Sequence, residues 1–253
     1  MDKTLANVTV VIPVGPGDQI APELQADLQP LARQTRVRVV CASATGAQVL
    51  RSAMAPLRHW EVVSAPPGRA TQQNAGAAGV DTDYLWFLHA DSRLADGTLP
   101  TVAAFLARGE YALGYFDLRF LDGPRRMRLN EAGAWLRSRW LGLPFGDQGL
   151  VIPRFAFEAL AGFDPRVQAG EDHDLIWRTR RLGLPLVPLH APLYTSARRY
   201  TQQGWWRTTS QHVRATWRQA RQFSRGSRLM PRCSPETPRP RGQGQGHASG
   251  QRS

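Results

Sequence analysis

The sequence predicts an α/β fold: a Rossmann-like, mostly parallel sheet flanked by helices, followed by a C-terminal helix and a disordered basic tail. Three observations carry that expectation. Short apolar runs recur near positions 8, 37, 60 and 84, the first three rich in valine, each too short for a helix. Segments of helical spacing or composition separate them, and strand–helix alternation at this interval argues for a parallel sheet. Residues 226–253 are dominated by Gly, Pro, Ser, Arg and Gln, a composition that cannot bury a core.

The elements follow in order. "VTVVIPV" (8–14) reads as a fully buried strand, stopped by Pro13 and the Gly15-Pro16-Gly17 loop. Residues 21–34 carry Leu24, Leu28 and Leu31 at helical spacing. "VRVVCAS" (37–43) is a second strand, 46–54 a helix, and "WEVVSA" a short strand. "GRATQQNAGAAG" opens at Gly68 and suits a helix running toward Gly79. "YLWFLHA" (84–90) is the next strand, and ligands in such sheets bind beyond the carboxyl ends of the strands, where Asp91 would lie. In the second half, 111–121 alternates as a strand and 125–140 reads as a helix. "GDQGLVIPRFAFEALAGFDP" gives a turn, a short strand and a helix ending at Gly162. Residues 171–182 are helical with Gly183 as the stop, and 204–225 form one more helix. The expected organisation is one domain over 1–225 and a tail over 226–253.

Composition narrows the class. Only Cys41 and Cys233 are present, which gives no disulfide framework and suits a reducing compartment. No run of eighteen apolar residues exists, and the apolar stretch 8–14 lacks the features of a signal peptide, so a cytoplasmic location is expected. The net charge of +12 is unevenly spread. Residues 1–174 carry 17 basic and 19 acidic side chains, net −2, whereas 175–253 carry 15 arginines against Glu236 alone, net +14. Such a region attracts nucleic acid, anionic lipid or phosphate. Nucleic acid is the weakest of these, because the arginines belong to no recognisable binding module.

Two acidic clusters could carry chemistry. His89-Ala90-Asp91 ends a buried strand, and Glu171, Asp172 and Asp174 open a helix. A plain reading exists for each: Asp is a frequent turn residue, and carboxylates are favoured at helix N-termini. The functional reading makes one acid a general base within reach of an acceptor hydroxyl. It makes Asp91 a ligand of a divalent cation that needs only one or two protein carboxylates beside substrate phosphates. Two distant cysteines and six scattered histidines exclude a zinc cluster.

The segments "VVIPV", "GRATQQNAGA", "FLHADS", "FGDQGLVIPRFAFEALAGFDP", "GEDHDLIWRTRRLG" and "SARRYTQQGWWRTT" occur in an order that resembles family 2 glycosyltransferases of GT-A-type fold. The similarity runs from about Val8 to about Gln222 and is nearest to a bacterial branch whose metal motif reads His-Ala-Asp. The resemblance implies transfer of a sugar from a nucleotide-diphosphate donor, inverting and dependent on Mn2+ or Mg2+, to an acceptor the motifs do not identify. It implies Asp91 as metal ligand and Asp172, with Glu171 beside it, as the catalytic pair. Pro13, Arg69, Gln73, Asn74 and His89 join Asp91 on the donor side, Asp147 and Gln148 line the sugar and acceptor pocket, and Arg198 and Arg199 contact phosphate. The chain departs from the pattern at two places. Gly15-Pro16-Gly17-Asp18 replaces an Asn-Glu after the first strand, and Cys41 stands where an Asp reads the nucleobase. That second departure sustains an alternative, a catalytically degenerate member that binds a nucleotide or partner without transfer.

At about 100° per residue, Arg207, Arg214, Arg218, Arg221 and Arg225 of the last helix fall in a stripe roughly 60° wide. Trp206, Val213, Trp217 and Ala220 fall beside it. The pattern suits a helix lying in the headgroup region of an anionic membrane, with the protein peripheral at the inner face and the acceptor lipid-linked or envelope-related. It suits equally a helix packed on its own domain with its arginines in water.

Overall fold

The structure, a computed structural model, describes residues 3–31, 35–54, 60–167, 169–198, 200 and 204–225. The tail expected over 226–253 lies outside them. The first half alternates as the sequence predicts: β1 (Val8–Val14), α1 (Pro22–Leu28), β2 (Arg36–Cys41), α2 (Ala44–Met54), β3 (Trp60–Ser64), α3 (Arg69–Ala77) and β4 (Tyr84–Phe87). The second half adds β5 (Arg93–Leu94), α4 (Thr98–Arg108), β6 (Leu113–Phe120), α5 (Met127–Trp140), β7 (Leu150–Pro153), α6 (Arg154–Ala159), α7 (Glu171–Arg181), β8 (Leu186–Thr195) and α8 (Trp205–Arg225).

The strands form one sheet in the order β3-β2-β1-β4-β7-β6-β8-β5. Strands β3, β2, β1 and β4 are mutually parallel, as are β6 and β8. Strand β7 runs antiparallel between β4 and β6 and so welds the two parallel blocks together. Both faces are covered, which is why the strands read as unbroken apolar runs. Along β1, Val10 and Ile12 face one core with Trp86 and Phe116, while Val11 faces the other with Leu85, Phe87 and Phe163.

Helix α3 lies very close to the sheet because Gly76 has no side chain; a Cβ there would stand 2.4 Å from Val11 Cγ1 and 2.9 Å from Val40 Cγ2. Two polar side chains then secure the helix. Gln72 donates from Nε2 to the carbonyls of Val14 (2.7 Å) and Val40 (2.8 Å), tying the carboxyl ends of β1 and β2. Arg38 donates to Glu61 and to the carbonyls of Gly76 and Ala78 at the helix terminus, satisfying groups the helix leaves open.

The structure corrects several boundaries. The helix expected over 21–34 ends at Leu28 and tightens into a 3-10 turn over Gln29–Leu31, since Pro30 can neither donate nor continue an α-helix. The helix expected to reach Gly162 stops at Ala159, and Ala161 and Gly162 turn through positive φ. The strand expected to reach Ala90 ends at Phe87. Helix α4 was not anticipated, although Val102, Phe105 and Leu106 bury one of its faces. Strand β8 was missed as well. Pro188 and Pro192 interrupt its pattern, and the ladder with β6 is irregular between them, with His190 at φ 54°. No described helix is long and apolar enough to cross a membrane.

Replacing Gly76 by Ala forces a methyl into backbone-anchored valines, an overpacking that costs about 1–3 kcal/mol. Denaturant unfolding of Gly76→Ala is expected to show a lowered midpoint with an unchanged slope.

Candidate active site

The polypeptide leaves β4 through a turn. Leu88 N–H still donates to Val11 O (3.1 Å), but Ser92 N–H then donates back to His89 O (3.1 Å), and Ala90 O is taken by Ala21 N–H (2.8 Å). The apolar run breaks there because its backbone has left the sheet. Asp91 emerges exposed at the rim of a cleft of about 490 Å³, whose polar lining includes Asp18, Ser196 and Arg198. It accepts a long hydrogen bond of 3.4 Å from Thr195 Oγ1.

A second cluster gathers around Gly146. Gly170, at φ 83°, lets α7 begin abruptly, so its first turn holds Glu171, Asp172 and Asp174. These acids divide in function. Asp174 pairs with Arg178 one turn on, at 2.7 Å, and that arginine also binds the carbonyls of Leu160 and Gly162; this acid is structural. Asp172 accepts from Gly146 N–H through Oδ2 (2.6 Å) and from its neighbour His173 N–H through Oδ1 (2.9 Å). Glu171 Oε1 faces Arg69 Nη1 at 3.5 Å, which brings the start of α3 against the start of α7. A Cβ on Gly146 would come within 3.1 Å of Asp172 Oδ2 and 3.2 Å of His89 Nε2. His89 therefore belongs to the Asp172 cluster, although it precedes Asp91 by only two residues.

Behind Asp172 stands a stack that sequence reasoning did not foresee. The Arg137 guanidinium lies 3.4 Å from the Phe145 ring centroid, and Phe145 stacks on His173 at 3.3 Å. Arg137 also donates to Leu143 O (2.9 Å) and Gln148 Oε1 (3.1 Å). Phe145, in the middle of this stack, precedes the donor Gly146, and His173, at its end, is the other backbone donor, so the stack fixes where those donors point.

The predicted site residues do not all face the opening. Asn74 spends both ends of its amide on the main chain of Phe163. Gln148 is fully buried, accepting from Arg137 and Phe145 N–H and donating to Phe116 O. Gln73 is buried, with Oε1 lacking a hydrogen-bond partner among the described residues. Pro13 is half-buried near the end of β1, Arg69 is exposed, and Arg198 is exposed and lines the cleft with Asp91. Arg199 lies outside the described residues. Asp18 joins the Asp91 cleft. At the end of β2 the Cys41 thiol is buried, and burial pushes its pKa up against the opposing charge of Arg51.

The carboxylates sit in contrasting fields. Burial pushes Asp147 up, and the nearby Asp172 charge adds to this while Arg137 and Arg69 oppose it. One Asp147 oxygen is buried without a hydrogen-bond partner among the described residues. Burial and then the Asp172 charge likewise raise Glu171, against Arg69. Burial also acts on Asp172, but His173, the Gly146 N–H and Arg69 together outweigh it and hold that carboxyl below its ordinary range. Asp172 thus stays ionised where its two neighbours resist ionisation.

Among the described residues, no group of three or more His, Cys, Asp or Glu is placed to hold a metal ion. The carboxylates that line the cleft and could meet a hard cation are Asp91, Asp18 and Glu23. That set fits a cation arriving with an anionic ligand that completes its shell, as Mg2+ commonly does with phosphates.

No protein-family model and no curated protein sequence matches the chain. Solved structures do. The chain is similar to Staphylococcus aureus TarS 1–349, with TM-score 0.60 and 14% identity over 75% of this chain and 60% of that one. It is similar to the mannosyltransferase PcManGT of Pyrobaculum calidifontis in complex with GDP-Man and Mn2+, with TM-score 0.55 and 18% identity over 75% of this chain and 56% of that one. It also resembles GalNAc-T7 with UDP, GalNAc and Mn2+, with TM-score 0.57 and 12% identity over 77% and 44% respectively. TarS 1–349 has also been crystallised with UDP and with UDP-GlcNAc. The shared feature is the fold, which is of GT-A type. The chain spans about 60% of the length of TarS 1–349.

The opposing pKa directions give a signed pH dependence. Asp147 keeps its proton in the folded chain at pH values where the unfolded chain has lost it. Its contribution to stability is therefore full below the ordinary Asp range and is lost as pH rises through its elevated value. Asp172 has the reverse sign: its contribution is present above the unfolded value and is lost as pH falls through its depressed one. Asp147→Asn removes the first effect only. The variant is expected to melt above wild type near neutral pH. The two melting curves should converge as pH falls below the ordinary Asp range.

Proposed function

We propose that this chain is a family 2 glycosyltransferase that moves a sugar from a nucleotide-diphosphate donor to an acceptor hydroxyl, by a single inverting displacement. The observation that carries the reading is the convergence of two differently built acidic groups at the carboxyl edge of a GT-A-type sheet. Asp91 is exposed on an open cleft, and Asp172 is oriented and held ionised. Only ionised carboxylates serve the two roles, and each sits at the edge where such sheets bind ligands.

Asp172 is the acceptor-side base. Each of its oxygens spends one lone pair on a main-chain N–H, which leaves the others for an incoming hydroxyl. As the acceptor O–H gives its proton to Asp172, its oxygen bonds to the anomeric carbon and the bond from that carbon to the diphosphate breaks. Glu171 anchors Arg69, whose exposed guanidinium suits a diphosphate oxygen, and Arg198 offers a second cation in the Asp91 cleft. Asp91, with Asp18 near it, would hold Mn2+ or Mg2+ on the donor, which supplies positive charge where the leaving diphosphate accumulates its negative charge. The donors bound in the similar structures, UDP-GlcNAc and GDP-Man, support this class of ligand.

One observation favours a second reading, a degenerate member that binds a nucleotide without transfer. The end of β2 presents a buried thiol and no carboxylate, and a neutral thiol is a weak partner for a base edge. The two readings part in a paired measurement. Thermal shift with nucleotide sugars and Mn2+ is expected to show metal-dependent stabilisation that Asp91→Ala abolishes. Release of nucleoside diphosphate in the presence of acceptor is expected to fall about 10²–10⁴-fold in Asp172→Asn, the usual worth of a general base, with donor stabilisation retained. Stabilisation without any release by wild type selects the degenerate reading.

A further inference from the structure

Helices α5 and α8 pack against one another at their beginnings. Trp205 Nε1 donates to Asn130 Oδ1 (2.7 Å), Asn130 Nδ2 donates to Thr209 Oγ1 (3.2 Å), and Arg126 lies over the Trp205 ring. With Met127, Ala134 and Ser138 turned inward, α5 exposes a stripe of Leu129, Leu136 and Trp140, with the last 76% exposed. On α8, Trp205 and Thr208 are buried, while Trp206, Val213 and Trp217 stand in solvent at 75%, 51% and 64% exposure. The reading of the last helix as packed through its aromatic stripe therefore fails for these three residues.

The cations are distributed to match. Arg125, Arg126 and Arg128 are exposed at the start of α5, and Arg207, Arg214 and Arg221 lie along the outer side of α8. No Asp or Glu occurs within α8, and the one acid of α5, Glu131, is turned inward onto Arg119 and Phe120 N–H. Two neighbouring helices thus present convex apolar ridges bordered by guanidinium groups and free of outward carboxylates.

We propose that the outer faces of α5 and α8 together dock the protein on an anionic bilayer surface, with both helices in the plane of the headgroups. This goes beyond the transferase reading and does not depend on it. A nucleic acid would satisfy the arginines but leave Leu129, Leu136 and Val213 against a charged backbone. Tryptophans between apolar and basic stripes are the pattern that helices at a lipid interface share. A groove of about 840 Å³ between α5 and the end of β6, lined in part by Arg128 and Trp135, opens beside the same face. Headgroup-level substrates would meet the protein there.

The test is flotation of the full chain with vesicles, without donor or metal. Wild type is expected to float with phosphatidylcholine vesicles containing phosphatidylglycerol and to stay behind with phosphatidylcholine alone. The paired change Leu136→Ser with Trp140→Ser on α5, and separately Trp206→Ser with Trp217→Ser on α8, are each expected to lower the bound fraction by about tenfold or more. Melting temperatures close to that of wild type would show that both variants fold. Brominated acyl chains should quench tryptophan fluorescence in wild type and less in either variant. Failure of wild type to float overturns the proposal. So does an α5 variant that floats and is quenched as wild type, since adhesion would then come from the remaining arginines alone.

Discussion

The site depends on one hydrogen bond, from Gly146 N–H to the Asp172 carboxylate at 2.6 Å. It joins the segment entering β7 to the first turn of α7, two stretches that share no strand pairing. Gly146 has no side chain, and a Cβ there would press to 3.1 Å from Asp172 Oδ2 and 3.2 Å from His89 Nε2. That single absence lets the end of β4, the entrance to β7 and the start of α7 meet at one point. The antiparallel insertion of β7 between β4 and β6 is the larger-scale reason they are neighbours at all.

Charge around that point is arranged by subtraction. Asp147, Glu171 and Asp172 cannot all ionise easily in a buried cluster. His173, the Gly146 N–H and the Arg69 guanidinium favour Asp172, whereas Arg137 only partly offsets the burial of Asp147. Arg137 lies over the face of Phe145, where its charge acts on Asp147 and its hydrogen bonds hold the turn. The arrangement selects one ionised carboxylate from three, and it does so with groups from α3, the turn before β7, and α7.

Much of the first half was legible because strands buried on both faces leave continuous apolar runs, and Val8–Val14 and Tyr84–Phe87 are such runs. The acidic start of α7 was legible too, as a dense local pattern. What stayed hidden depended on contacts between distant segments. Gln72 and Gln73 are adjacent and chemically identical, yet only Gln72 has an amide bound to the ends of β1 and β2. Asn74 and Gln148 look like ligand groups in the sequence, but the main chain consumes their amides. Strand β8 escaped notice because its two prolines fall where β6 tolerates an irregular ladder. The stripe of Leu129, Leu136 and Trp140 resembles any buried helical face until the opposite face of α5 is seen to supply the contacts.

His89 and Asp91 show how little sequence distance says about shared work. On a continuing strand, residues two apart would point to the same side. The turn that returns Ser92 N–H to His89 O ends the pleat between them. His89 then faces Gly146 and Asp172, while Asp91 lines the open cleft with Asp18 and Arg198. The short segment between them is consequently the partition between two electrostatic environments, one buried and one wet. A change in the length of this turn would move both groups at once, whereas a change in either side chain alone would disturb one. The histidine is thus tied to the Asp172 cluster by geometry, and the aspartate two residues on is left with solvent-facing lone pairs open to a ligand in the cleft.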